Sequence, residues 1–172
     1  MLFVVASCSN YSKKTVKTGT FSFECPDKIV LEEMTVNYHE SYEELHYLVN
    51  KGNVKYDRTY LFGQDDNEVF EMTLYLINKE EKTINDLCEE LRSSLNKEGF
   101  WTIYKEIENK SDNISFKVSL NRKEIQDYGV QYYRFFEKAD KFALVKITIR
   151  EDADSQYEEV IRSLLKSVRW LI

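Results

Sequence analysis

The stretch ISFKVSLN, residues 114 to 121, constrains the fold more than any other part of the chain. Ile114, Phe116, Val118 and Leu120 alternate with Ser115, Lys117, Ser119 and Asn121, the period of two that sends one set to each face of a β-strand. Three further runs read as strands, Trp101 to Glu108, Val130 to Glu137 and Phe142 to Arg150. Between the last two stands only Lys138-Ala139-Asp140-Lys141. So short a connection joins antiparallel neighbours and leaves no room for a parallel crossover. Upstream, KYDRTYLF (55–62) and EVFEMTLYLI (68–77) flank Gly63-Gln64-Asp65-Asp66-Asn67, turn-forming residues at hairpin length. In the second run Phe70, Met72, Leu74 and Leu76 point one way, and Glu71, Thr73 and Tyr75 the other.

Helical periodicity interrupts these strands at defined places. Thr83 caps a helix running to about Lys97, with Ile84, Leu87, Cys88, Leu91 and Leu95 on one stripe and Gly99 at its stop. Ser155-Gln156-Tyr157-Glu158 has the spacing of a capping box and opens a closing helix with Tyr157, Val160, Ile161, Leu164, Leu165 and Val168 on one face. A third, short helix is expected after the box Ser41-Tyr42-Glu43-Glu44, ending at Gly52. At the N-terminal end Phe21 to Pro26 alternates and stops at proline, and an extended piece from Ile29 to Tyr38 is read as its hairpin partner. Hairpin strands broken by helices give an α+β fold, a mostly antiparallel sheet flanked by helices. Because Val130 to Phe136 carries aromatics on both faces, helices are expected to cover both sides of part of the sheet.

With 172 residues, one core is the default. The 30 acidic against 24 basic residues give a formal charge of -6, which argues against a duplex nucleic-acid binder that must neutralise many phosphates.

The N-terminus carries a separate signal. Leu2 to Ala6 is wholly apolar, but the seven residues ahead of Cys8 are too few to span a bilayer, which takes about 20 helical residues. Val5-Ala6-Ser7-Cys8 resembles the lipobox of bacterial lipoproteins, in which the signal is cut before a cysteine that then takes a diacylglyceryl group. The competing reading is a short buried strand with Cys8 as a core thiol. Ser9 to Thr20, SNYSKKTVKTGT, is polar and basic without apolar periodicity, as a tether should be. Missing is the basic segment that opens a full secretory signal. The division that follows is a signal remnant at 1–7, lipidated Cys8 with a tether at 8–18, and one domain at 19–172. Cys25 and Cys88 are then an even pair, either bridged in an oxidising envelope or buried as free thiols.

The order of elements, from a Phe-Ser-Phe…Pro strand through a hairpin, a helix and an antiparallel meander to a closing helix with the end Ser167-Val168-Arg169-Trp170, resembles the PsbP-like superfamily. That resemblance covers residues 19 to 172 and implies an α/β/α sandwich. It also implies work done by docking onto other proteins, since the superfamily includes an extrinsic photosystem protein, a Ran-binding import factor and small bacterial lipoproteins.

Catalytic signatures are sparse. His39 and His46 are seven apart, with a helix start between them, which is not a metal-ligand spacing. The five glycines are scattered singly, with no phosphate-cradling loop, and no Gly-x-Ser-x-Gly turn occurs. Asp65 to Glu68 reads as turn chemistry, and Glu151 to Asp154 as charge suited to a helix N-terminus. Neither fits a calcium loop, no CxxC pair marks a zinc site, and no metal or cofactor is expected. The candidate binding surface is Tyr132, Tyr133, Arg134, Phe135 and Phe136, since Tyr and Arg anchor interfaces; its alternative is a central strand sandwiched between helices. The expected function is a non-enzymatic lipoprotein of the bacterial cell envelope, held to the membrane by lipid at Cys8 and binding an unidentified protein, not nucleic acid. The alternative is an envelope protein that binds a small molecule or ion in a pocket between sheet and helix.

Overall fold

The computed structural model describes residues 12–19, 21–33, 56–64, 69–79, 81–97, 101–110, 112–121 and 129–171. Its main element is an antiparallel sheet of seven strands, β3 (Val30–Glu33), β4 (Tyr56–Gln64), β5 (Val69–Asn78), β6 (Trp101–Lys110), β7 (Asn113–Asn121), β8 (Gly129–Lys138) and β9 (Lys141–Arg150). Their spatial order is β3-β4-β5-β9-β8-β7-β6. A second, three-stranded antiparallel sheet is made by β1 (Lys13–Lys17), β2 (Phe21–Pro26) and β10 (Arg169–Trp170), with β2 at its centre. Two helices complete the described fold, α1 (Ile84–Lys97) and α2 (Glu151–Ser167).

The alternation read from the sequence becomes two cores, one on each face of the large sheet. On one face Phe116, Tyr133, Phe135, Phe142 and Leu144 pack with Ile84, Leu87, Cys88 and Leu91 of α1. On the other, Met72, Leu74, Tyr132, Val145 and Ile147 pack with Tyr157, Ile161, Leu164 and Leu165 of α2 and with Phe21, Phe23 and Cys25 of the small sheet. Thr83 caps α1 as its position requires. Its Oγ1 accepts from the Asp86 N–H at 3.2 Å, while the Thr83 N–H donates to Asp86 Oδ2 at 2.8 Å. The turn at Lys138–Lys141 closes the β8–β9 hairpin with Ala139 at φ 55°, the left-handed region that a β-carbon disfavours. On the outer strand β6 the register shifts between Glu106 and Glu108, and a bulge among charges keeps such an edge from recruiting further strands.

Three sequence-based expectations need correction. Lys13–Lys17, assigned to the tether, form β1 and pair with β2 from Lys13↔Pro26 to Lys17↔Ser22. Phe21–Pro26 and the segment after it are not a hairpin, since β2 lies in the small sheet and β3 pairs with β4. The closing helix begins at Glu151 rather than Ser155, because β9 runs directly into it with Arg150 at the N-cap. The polar face of β7 packs against α2 at Lys117, and Ser115 and Lys117 are only 5% and 8% exposed. Cys25 and Cys88 are free thiols buried in opposite cores. The expected helix after Ser41 and the lipobox-like segment lie outside the described residues.

Candidate docking cleft

Where α2 ends, the chain passes through Val168 into β10, and Ser167 fixes this junction. Its Oγ accepts from the Glu24 N–H at 2.8 Å and donates to the Leu164 carbonyl at 2.7 Å. Beside the junction opens a cleft of about 610 Å³ lined by Glu108, Asn113, Arg134, Phe136, Glu137, Lys166, Val168, Arg169 and Trp170. A second groove of about 390 Å³ adjoins it over β1 and β2, and Lys166 and Arg169 border both.

Arg134 organises the cleft. From mid-β8 its Nε donates to Asn113 Oδ1 at 2.9 Å, and its Nη1 donates to the carbonyls of Leu165 and of Val168, the latter at 3.4 Å. A guanidinium thus adds a donor at the end of α2, where the helix dipole favours a cation, beside the Val168 N–H that already bonds the Leu165 carbonyl. Burial, and then the like charge of Arg169, pull its pKa below the usual arginine value. The guanidinium also lies over the Phe136 ring, 4.7 Å from its centroid. Phe136 meets Phe21 and Trp170 edge-on at 6.4 and 6.2 Å, and Phe21 and Trp170 sit 5.9 Å apart. This aromatic cluster is the floor of the cleft. The Trp170 indole N–H is buried and meets no acceptor among the described residues.

The cleft is electropositive in an acidic protein. Glu137 is paired with Lys79, and Glu108 with Lys110 at 2.5 Å, both lysines lying outside the lining. The hydrogen bond from Lys110 holds the Glu108 carboxyl below the ordinary range, although burial opposes it. Among the described residues Arg134 donates to neutral acceptors, and the Arg169 Nη1 donates to the Val168 carbonyl at 3.0 Å and to that of Lys166. The cationic charge of Arg134, Lys166 and Arg169 is therefore offset in part by the C-terminus of α2, worth roughly half a charge, and by the charge of nearby Glu108 and Asp112.

A second polar constellation lies under the N-terminal half of α2. Lys117 donates to Asp154 and, at 3.1 Å, to Glu158 Oε2, while the Tyr132 hydroxyl donates to Asp154. Arg162 joins through Glu158 at 2.5 Å. Lys117, Asp154, Glu158 and Tyr132 satisfy one another between sheet and helix, an arrangement suited to fixing the helix in place, while the buried Arg162 Nε meets no acceptor among the described residues. Only the fold pairs Lys117 with carboxylates 37 and 41 residues away. The i, i+4 pair Asp154 and Glu158 beside a lysine in a strand was the available signal.

Of the sequence-predicted surface, Tyr132, Tyr133 and Phe135 are each 0% exposed and divide between the two cores. The expectation of a surface spread over all five side chains is corrected accordingly: Arg134 and Phe136 reach the cleft. Lys166, Arg169 and Trp170 join them there, legible in sequence only as the end of a helix. His39, His46 and Cys8 lie outside the described residues. Among the described residues no three His, Cys, Asp or Glu side chains converge as a metal site, and no helix is long and apolar enough to cross a membrane.

These elements define the PsbP-like α+β fold. The Ran-binding protein Mog1p of Saccharomyces cerevisiae superposes with a TM-score of 0.57 at 9% identity, covering 92% of this chain and 95% of that one. The cyanobacterial PsbP protein CyanoP of Synechocystis gives 0.52 at 9% identity over 98% of both chains. LpqN of Mycobacterium tuberculosis, described as involved in cell envelope biogenesis, gives 0.52 at 9% identity over 92% of this chain and 90% of that one. No protein-family profile matches the sequence, and no curated protein sequence matches it significantly.

Proposed function

We propose that this protein is a non-enzymatic docking module of the bacterial cell envelope, anchored by lipid at Cys8, which binds a partner protein through the cleft beside Arg134, Phe136, Lys166, Arg169 and Trp170. The observation that carries the reading is the cleft itself, an aromatic floor under cations that form no ion pair with a carboxylate among the described residues, the residue types that anchor interfaces. Fold neighbours described as Ran-binding and as involved in envelope biogenesis are consistent with it. A ligand pocket between sheet and helix is less well supported, because Tyr132, Ile147, Tyr157 and Leu164 fill that interface.

Purification of the tagged protein from its native membrane in mild detergent tests the docking role. A partner that co-purifies with the native chain and with Arg92→Glu on α1, but not with Lys166→Gln/Arg169→Gln, supports the cleft. Retention by the double variant refutes it. Anchoring is tested separately by radioactive palmitate labelling in cells; label that persists in Cys8→Ser removes that thiol from the account.

A further inference from the structure

The lining of the cleft also indicates what chemistry its occupant brings. Its acids are already neutralised by Lys79 and Lys110, whereas Lys166 and Arg169 are exposed and form no ion pair with a carboxylate among the described residues. Both border the cleft and the adjoining groove, so the cations lie along a trough suited to an extended chain. The aromatic floor and the unsatisfied Trp170 N–H add a donor and an apolar surface. Exposed Leu171 follows directly.

The register of the small sheet places the cleft relative to where the described chain enters it. The chain enters the small sheet at Lys13 beside Pro26 and runs to Lys17 beside Ser22, whereas β10 pairs Arg169 with Ser22 and Trp170 with Phe21. The cleft therefore lies at the end of β2 opposite the entry of the chain, about 13 Å further along at strand spacing.

Resting on the docking reading, we infer that the cleft receives an acidic peptide segment of the partner, its carboxylates meeting Lys166 and Arg169 and its backbone or side chains covering Phe136 and Trp170. Opposite charge outside a desolvated core acts chiefly on recognition and encounter, so the interaction is salt-sensitive.

The test uses fluorescein-labelled octaglutamate with the full chain, read by anisotropy and by the Trp170 indole N–H resonance. Expected are saturable binding, a shift of that resonance, and losses of about tenfold or more on raising salt from 50 to 300 mM and in Lys166→Gln/Arg169→Gln. Where the double variant loses its near-UV circular dichroism, Arg169→Gln alone, in an exposed position on β10, replaces it. Equal binding of octalysine, or no movement of the indole resonance, overturns the proposal. So does an equal shift with inorganic phosphate, which assigns the site to small anions, or Lys166- and Arg169-dependent sedimentation with vesicles holding 30% phosphatidylglycerol, which assigns it to lipid. If the partner is lost on purification of the double variant yet octaglutamate does not bind, the acidic-segment inference fails and the docking role stands.

Discussion

The Arg134 guanidinium lies 4.7 Å from the centroid of the Phe136 ring, because two side chains two residues apart on β8 share one face of the sheet. That pairing joins the end of a helix to an aromatic cluster, so Arg134 supports both stability and the cleft. Arg134→Leu leaves Asn113 Oδ1 and the Leu165 and Val168 carbonyls without this donor, and is expected to cost about 2–4 kcal/mol. Arg134→Lys keeps the charge without the planar fork and is expected to lose about half as much. Urea denaturation midpoints measure both; a loss below about 0.5 kcal/mol for Arg134→Leu contradicts this role.

The buried network under α2 sets a pH window. Burial acts to raise the Glu158 pKa, but the hydrogen bond and charge of Lys117, with Arg162 and Lys105, outweigh it and hold it below 4.5. Burial likewise acts to lower that of Lys117, and the hydrogen bonds to Asp154 and Glu158 carry it above 10.5. A depressed carboxylate contributes stability that is present above its unfolded pKa and lost as pH falls through the folded one. A raised lysine contributes stability that is present below its unfolded pKa and lost as pH rises through the folded one. Melting temperature should therefore fall at both extremes, and Glu158→Gln should make the acid limb shallower. Lys117→Met strands two carboxylates beneath the helix and should cost about 3 kcal/mol at neutral pH. An unchanged acid limb in Glu158→Gln removes that carboxylate from the linkage.

The two thiols are buried and are expected not to react while the protein is folded. Desolvation pushes Cys25 up to about 11 and Cys88 up to about 12, and opposite cores keep them apart. In Cys8→Ser, Ellman's reagent at pH 8 should therefore react with neither until urea unfolds the chain, and then with both. Prompt reaction of a thiol in native buffer would show that its core opens.

Most strands were legible because their side chains meet two different environments. The residues of β5 and β7 alternate, and Ile84, Leu87, Cys88 and Leu91 mark the one face of α1 that the sheet covers. The polarity of Lys13-Lys14-Thr15-Val16-Lys17 concealed β1, an outer strand of a small sheet whose side chains remain exposed or half-buried. At α2 the box at Ser155 misplaced the start by four residues, because a strand that runs straight into a helix leaves no turn chemistry to read. The cleft was half legible: Arg134 and Phe136 stand out by composition, whereas Lys166, Arg169 and Trp170 join them only through the pairing of β10 with β2.

Photo-crosslinking in living cells tests the docking cleft most directly, with benzoylphenylalanine placed at Arg169 in the cleft or at Arg92 on α1. The account predicts a discrete adduct with one partner protein from position 169, suppressed by Lys166→Gln, and none of that species from position 92. The same adduct from position 92, or none from position 169 while the partner still co-purifies, would contradict it and place the docking surface elsewhere on the molecule.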